Sequence, residues 1–429
     1  MITRLVLAEV LRAWRLWVST FVVMVLAAVV ALVCAGDVST AAGIADLADA
    51  DALRNHALVF GAMNAIVVIG ALNVLVTFSI RIQRRNHALW QFGGIGPALI
   101  RRVVFAQAAT VSLAAFAVAL AVMPFTLQSL MAFLSAPMRS TGSPALEPRL
   151  GVPEGLIAFA AFELTVLLSA IGAARAASST PALFAVREPE LEPPRPSVGR
   201  KVIVWVSGGV AIALYALNLM GERGISMVFL VPVMVCVIAA APWLCRALVS
   251  GWTAALPGSP AAWFLARESL RYHLTRSHSA IALLSVAMLL GSLTGLAGVW
   301  DSPAYYLGGL AIFGGPVLIV LFTGAATVVM TTLSRRRDVA LLVATGGTFR
   351  TALVAAVLEA VAVVVTAVLI ALPLALASGP AALTTWTDPL RPLPFVVAIG
   401  LVIMVAATVS PVLQARRRAL GPQLVDTAV

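Results

Sequence analysis

The sequence predicts an all-α polytopic membrane protein of about ten transmembrane helices, arranged as two parallel four-helix repeats plus a two-helix insert. Three observations carry this prediction. The 429 residues are 61% hydrophobic and only 11% charged, against about 25% charged in an ordinary soluble protein. Apolar runs of roughly 20 residues, the length a helix needs to cross a bilayer core, recur along the chain. Arginines gather in alternate short loops between those runs, which is how a topology signal is distributed.

The elements follow in chain order. Residues 1–16 alternate Arg4, Arg12 and Arg15 with leucines and Trp14, as an interfacial amphipathic helix does. The run that ends near Cys34-Ala35-Gly36 is long for a signal peptide, and Val33 before Cys34 is not a small lipobox residue, so an uncleaved first span is expected. The ten spans fall near 17–35, 56–80, 103–126, 155–177, 202–220, 227–248, 280–300, 309–332, 353–378 and 394–414. Nearly all arginines and the only lysine, Lys201, lie in the N-terminus and in 81–102, 174–201, 249–279, 334–350 and 415–429. The opposite loops hold Arg54, Arg139, Arg149, Arg223 and Arg391 among acids such as Asp37, Asp51, Glu147 and Glu154. The positive-inside rule then places both termini in the cytoplasm of a multi-pass cell-membrane protein.

Two stretches align without a gap: "RRNHALWQFGGIGPALIRRVVFAQA" (84–108) and "RRDVALLVATGGTFRTALVAAVLEA" (336–360). Arg84-Arg85 matches Arg336-Arg337, Ala88-Leu89 matches Ala340-Leu341, Gly94 matches Gly346, and Gln107 matches Glu359. The flanks agree as well, "LVLAEVLR" (5–12) with "FLARESLR" (264–271) and "PALFAVRE" (181–188) with "PQLVDTAV" (422–429). This divides the chain into a first four-span unit with its interfacial helix (1–190), a linker and two-span insert (191–257), and a second four-span unit (258–429). Both units start on the same side, so the repeat is parallel. The link "REPELEPPRPSVGRK" (187–201) reads as an extended, proline-rich connector.

Several function classes are excluded. The net charge of +11 is scattered over short loops, without the soluble basic face that nucleic-acid binding needs. Cys34, Cys236 and Cys245 show neither a zinc spacing nor a disulfide framework, and His56, His87, His273 and His278 are scattered at span ends. A P-loop needs Gly-Lys-[Ser/Thr], but Lys201, the only lysine, follows Arg200. This chain therefore carries no ATPase of that type, and no nucleophile–base pair stands out. Two carboxylates inside apolar runs, Glu163 and Glu359, are candidate functional groups, since ionisable residues in a membrane span are costly.

Between two spans the segment Arg335 to Asp338, then Val339, Leu342 and Val343 at helical spacing, then Gly346-Gly347, predicts a helix on the membrane surface closed by a sharp turn. A positively charged hairpin that only sets topology would share the arginines; two copies at matching places need more than that. The pattern Arg-Arg-acid-x-Ala-Leu, with Gly six residues beyond the Ala and Glu thirteen beyond the Gly, resembles the FtsX-like permease family. These are the membrane subunits of MacB, LolCDE and Bce type ABC systems. The first copy departs from it with Asn86 for the acid and Gln107 for the Glu. The layout of four, two and four spans is most similar to the Bce-type permeases. Only about residues 301–308 stand where those carry a large extracellular domain, and 36–55 cannot hold the MacB-type domain.

The resemblance implies that these segments are coupling helices touching a separate cytoplasmic ATPase, through Arg84, Arg85, Ala88, Leu89 and Gly94 in one unit and Arg336, Arg337, Asp338, Ala340, Leu341 and Gly346 in the other. It implies a non-catalytic permease with two ATPase partners that bind ATP and Mg, exporting or extracting from the membrane a hydrophobic or amphipathic compound, such as a peptide antibiotic or lipid. Membrane lipids are its other expected partners. Two alternatives remain open at this point: a proton-driven secondary transporter using Glu163 and Glu359, and an ATPase-linked signalling protein. The topology has a direct check. In a background lacking native cysteines, a cysteine near Ala145 should be labelled from outside and one near Pro194 only from inside; labelling of both from one side contradicts the ten-span arrangement.

Overall fold

The computed structural model describes residues 9, 14–44, 47–140, 147–178, 198–220, 228–256, 260–272, 274–296, 303–332, 335–381 and 388–416. Among these, all regular structure is helical. The helices are α1 (Trp14–Ala41), α2 (Leu47–Ile82), α3 (Arg84–Phe92), α4 (Pro97–Ser140), α5 (Val152–Ser178), α6 (Val198–Leu219) and α7 (Leu230–Ala254). They continue with α8 (Ala261–Tyr272), α9 (Leu274–Leu296), α10 (Pro303–Thr332), α11 (Arg335–Ala344), α12 (Phe349–Ala381) and α13 (Leu393–Arg416), a single 3-10 turn at Asp388–Leu390 preceding the last. Among the described residues, nine helices are long and apolar enough to cross a membrane: α1, α2, α4, α5, α6, α7, α9, α12 and α13. The chain is an all-α polytopic membrane protein. The remaining expected span, 309–332, falls in α10, whose stretch Phe313–Val328 is apolar. The expected interfacial helix at 1–16 and most of the connector at 187–201 lie outside the described residues.

Span boundaries differ from expectation chiefly in α4. Its expected core, 103–126, is the centre of a helix of 44 residues, about 66 Å at 1.5 Å per residue. That outruns a hydrocarbon core of roughly 30 Å. The helix starts early because Pro97 lacks the N–H that a first turn leaves unbonded anyway, and Gly96 O accepts from Leu99 N and Ile100 N.

The chain divides into two compact units, residues 1–192 with 297–319, and 193–296 with 320–429. In the first, α1 packs on α2, α4 and α5, and α5 also packs on α2 and α4. Ala170, Ala173, Ala174 and Ala177 of α5 are buried; small residues at this spacing let helix backbones approach where no hydrophobic force separates protein from lipid. Phe60 meets Phe313 edge-on at 4.9 Å between ring centres. At one end of the bundle, Arg149 N donates to Thr40 Oγ1 (3.1 Å) and Gly151 N to Ser39 Oγ (3.0 Å), which ties the end of α1 to the segment entering α5.

The second unit is built around α9. Of its apolar window 94% is buried, against 17% for α6, so α9 is the hub and α6 an outer helix. The hub has the lowest mean hydropathy of the nine spans, 1.5 against 2.0 for α6. It carries Ser285, Ser292 and Thr294 in its buried surface, polar groups that lipid would not solvate; α7, α12 and α13 enclose it. The fit is close: a methyl at Gly291 would lie 2.7 Å from Val396 Cγ2, and one at Gly295 would strike Asp388 O.

The α6–α7 pair contains a polar device inside apolar surroundings. Pro242 interrupts α7; it has no N–H, so the carbonyl four residues back, at Ile238, loses its helical donor. Arg200 of α6 supplies replacements, with Nη2 donating to Ile238 O at 3.2 Å and Nε to Ala239 O at 2.9 Å. In lipid an unsatisfied carbonyl has no water to turn to. Arg200→Ala should therefore cost about 1.5–3 kcal/mol of stability, the range for hydrogen bonds to charged groups. The same change in a Pro242→Ala background should cost measurably less, because the helix then bonds Ile238 itself. Unfolding by titration with a denaturing detergent measures both, and equal costs in the two backgrounds would contradict the pairing.

Candidate functional site

The two short helices α3 and α11 end in the same way, bond for bond. In α3, Gly93 N donates to Leu89 O, Gly94 N to Gln91 O and Ile95 N to Trp90 O. In α11, Thr345 N donates to Leu341 O, Gly346 N to Val343 O and Gly347 N to Leu342 O. Every atom pair is displaced by the offset that aligns Arg84 with Arg336. Gly94 has φ +84° and Gly346 φ +94°, the left-handed conformation that closes a helix in a Schellman cap and that glycine alone adopts at little cost. The next helix follows at once, Pro97 opening α4 and Phe349 opening α12. Each elbow is therefore a defined joint between a short helix and a long span.

Each short helix has an anchored side and an open side. In α11, Val339 and Leu342 pack on Ala352, Ala356 and Val412, together with Phe349, Leu353 and Val409, so they rest on both α12 and α13. In α3, Ala88 is buried. The open side presents Leu89 at 55% exposure and Leu341 at 46%, aligned positions in the two units, with Phe92 beside Leu89. A half-exposed leucine thus stands at the same place in both helices.

The side chains of Arg84, Arg85, Arg336, Arg337, Asp338 and Ala340 lie outside the described residues; their backbone is helical. Placement in the first turn is informative by itself. A helix N-terminus carries a partial positive charge and favours acids, yet the first turn of α3 contains none. Arg84 and Arg85 stand there instead, so the first turn adds positive charge to that end of the helix.

The intramembrane carboxylates have partners that sequence reading missed. Glu163 on α5 accepts a hydrogen bond from Ser112 Oγ on α4 at 2.9 Å, while its Oε1 has no partner among the described residues. Phe116 of α4 touches both Phe159 and Phe162, so this bond sits beside aromatic rings. Glu359 is 4% exposed and accepts from Ser269 Oγ of α8 at 3.1 Å. Arg350, on the same helix, is exposed and stands nine residues, about 13 Å along α12, from Glu359. Gln107, aligned with Glu359, is fully buried, and neither polar atom of its side chain has a partner among the described residues. Ser269 stands in the motif "FLARESLR", where a hydroxyl one residue after Glu268 was the available signal; for Ser112 the sequence holds none.

Among the described residues no cluster of three or more His, Cys, Asp or Glu could hold a metal ion. A scan against protein-family models and a search of curated proteins give no match, so the likeness to FtsX-like permeases rests on the residues quoted above.

The Ser269–Glu359 bond can be tested alone. Ser269→Ala should destabilise the second unit by about 0.5–1.5 kcal/mol, the net contribution of one hydrogen bond. Glu359→Gln should cost less, since an amide oxygen still accepts from Ser269. Detergent-titration unfolding of both variants checks this. A larger loss in Glu359→Gln would mean that the fold depends on the carboxylate's charge rather than on this bond.

Proposed function

We propose that this chain is the permease subunit of an FtsX-like ABC transporter, working with a separate cytoplasmic ATPase, two copies per permease, that binds ATP and Mg. On this reading the chain itself is not an enzyme. It sits in the cell membrane with both termini in the cytoplasm, and its task is to export, or extract from the membrane, a hydrophobic or amphipathic compound such as a peptide antibiotic or a lipid. The observation that carries the reading is the pair of identically capped elbows, each offering a leucine to the outside.

The mechanics follow from that geometry. ATPase closure displaces α3 and α11 by way of Leu89, Leu341 and the arginines in their first turns. A Schellman cap fixes the angle to the next helix, so a push on α3 is delivered to α4 and a push on α11 to α12. In the second unit Val339 and Leu342 carry the same push to α13 through their contact with Val412. An ion-driven transporter is the second reading, and the Ser112–Glu163 bond favours it, since a carboxylate paired with one hydroxyl inside a span can exchange a proton. That reading leaves the paired elbows without a task.

Co-expression with an ABC ATPase encoded beside this chain should yield a complex that co-purifies. Leu89→Asp with Leu341→Asp should reduce its association at least about tenfold, since each change loses an apolar contact and sets a charge in the interface. Reversing Arg336, Arg337 and Asp338 together should weaken it further by adding repulsion. Assembly and substrate-stimulated ATP hydrolysis at the unaltered level in both variants would remove the docking role, and proton-coupled uptake abolished by Glu163→Gln would favour the second reading.

A further inference from the structure

The first unit contains a cleft that coupling to an ATPase does not use. It lies between α1, α2 and α5, has a volume of about 450 Å³, and is open to one side. Binding sites for small molecules typically measure about 300–1,000 Å³. Its walls are made of small residues, among them Ala31, Ala35, Gly61, Ala65 and Ala161. Leu58 and Ile157 flank it at 73% and 68% exposure, and in a membrane-spanning bundle that outward side faces lipid. Asn64 Nδ2 donates to Ala27 O at 3.4 Å, both being lining residues, and this bond holds α2 against α1 at the cleft.

Two charges break the apolar lining, Arg54 and Glu154. Arg54 stands at the start of the apolar span Leu53–Ile80 and Glu154 at the start of Val152–Ser178, so both mark the membrane surface at one rim. Asn64 on α2 and Thr165 on α5 also line the cleft; ten and eleven helical residues from the rim put them about 15 Å deep. That is half of a hydrocarbon core of roughly 30 Å, the depth of one leaflet. Arg54 bonds Asp51 at 3.2 Å with both side chains more than half exposed. Such a surface pair contributes about 0–1 kcal/mol, and the guanidinium has donors to spare for a second acceptor.

We propose that this cleft binds a zwitterionic phospholipid of that leaflet, one acyl chain lying in the alanine-lined trough, the phosphate on Arg54 and the ammonium on Glu154. A rim with one cation, Arg54, and the carboxylates of Glu154 and of Asp51 beside Arg54 offers a site to each charge of a zwitterionic headgroup, and it is mismatched to an anionic headgroup that brings a phosphate with no ammonium. The proposal needs no ATPase, so its failure leaves the ABC reading standing.

The test uses the full chain in nanodiscs of equal phosphatidylethanolamine and phosphatidylglycerol, doped in turn with an analogue of each that carries a photoreactive diazirine at mid-chain. Mass spectrometry then maps the adducts. Adducts on the cleft-facing residues of α1, α2 and α5 should favour the ethanolamine lipid by about tenfold, whereas adducts around Trp205, which is 81% exposed on α6, should show no preference. Glu154→Lys, a change at the rim, should reverse the preference, because two cations suit the anionic headgroup. Gly61→Leu should remove the cleft adducts and leave those on α6. Equal labelling of the cleft by both lipids, a preference unchanged in Glu154→Lys, or cleft adducts that persist in Gly61→Leu would each overturn the proposal.

Discussion

Inside a bilayer every backbone N–H and C=O must be satisfied by the protein, because there is no water to do it, and the rest of this structure follows from that constraint. It selects helices, and it also decides what polar side chains do within them. Thr110, Thr165, Ser207, Thr327, Thr366 and Thr408 each donate to the carbonyl four residues back in their own helix. A hydroxyl used in this way asks nothing of a neighbouring helix. Other polar groups reach across to a neighbouring helix, among them Ser112 to Glu163, Ser269 to Glu359, Asn64 to the carbonyl of Ala27, Ser285 to that of Ala367, Trp252 Nε1 to Thr366 Oγ1 at 3.1 Å, and Arg200 to the carbonyls around Pro242.

The same constraint shapes the elbows. A chain that leaves one span and enters another must end a helix without stranding its last carbonyls. At Gly94 and Gly346 the backbone turns left-handed and directs its own N–H groups back onto them. This makes the joint short and conformationally defined, which a lever requires and a loose loop would not supply. The remaining face of each short helix presents Leu89 or Leu341, each about half exposed.

Much of this was legible in the sequence, and the boundary of what was legible has a physical basis. Hydropathy marks a span because a whole helix contributes to the signal, so the membrane-crossing helices were found to within a few residues at most ends. The glycine turns were legible because few residues other than glycine tolerate positive φ. The partners of Glu163 and Glu359 were not, because periodicity reports which face of one helix is buried and never which residue of another helix meets it. Pro242 stands in the sixth expected span in plain view, but only the packing of α6 on α7 shows that Arg200 answers it. The cleft was equally hidden. Alanine is read as a good packing residue, and whether a row of alanines closes an interface, as at Ala170 to Ala177, or leaves a trough, as at Ala31 to Ala65, depends on what stands opposite.

On the reading of the chain as a duplication, the interiors have diverged while the joints have not. Glu359 has Ser269 as donor; the aligned Gln107 has no partner among the described residues, and the flank alignment sets Val10 where Ser269 stands. The carboxylate and its hydroxyl are thus present together in one unit and replaced together in the other. A neutral amide can stay in an apolar core without a partner at far less cost than a carboxylate can, so the order of loss is constrained. A unit that lost the donor first would have held a buried acid with one acceptor unserved, and exchange of the acid for an amide relieves that. Retention of both in the second unit means that α8 is fastened to α12 there by a bond the first unit does not make through Gln107. The two elbows are then alike in form but feed into units held together differently, and an equal push on α3 and α11 would not move their units equally.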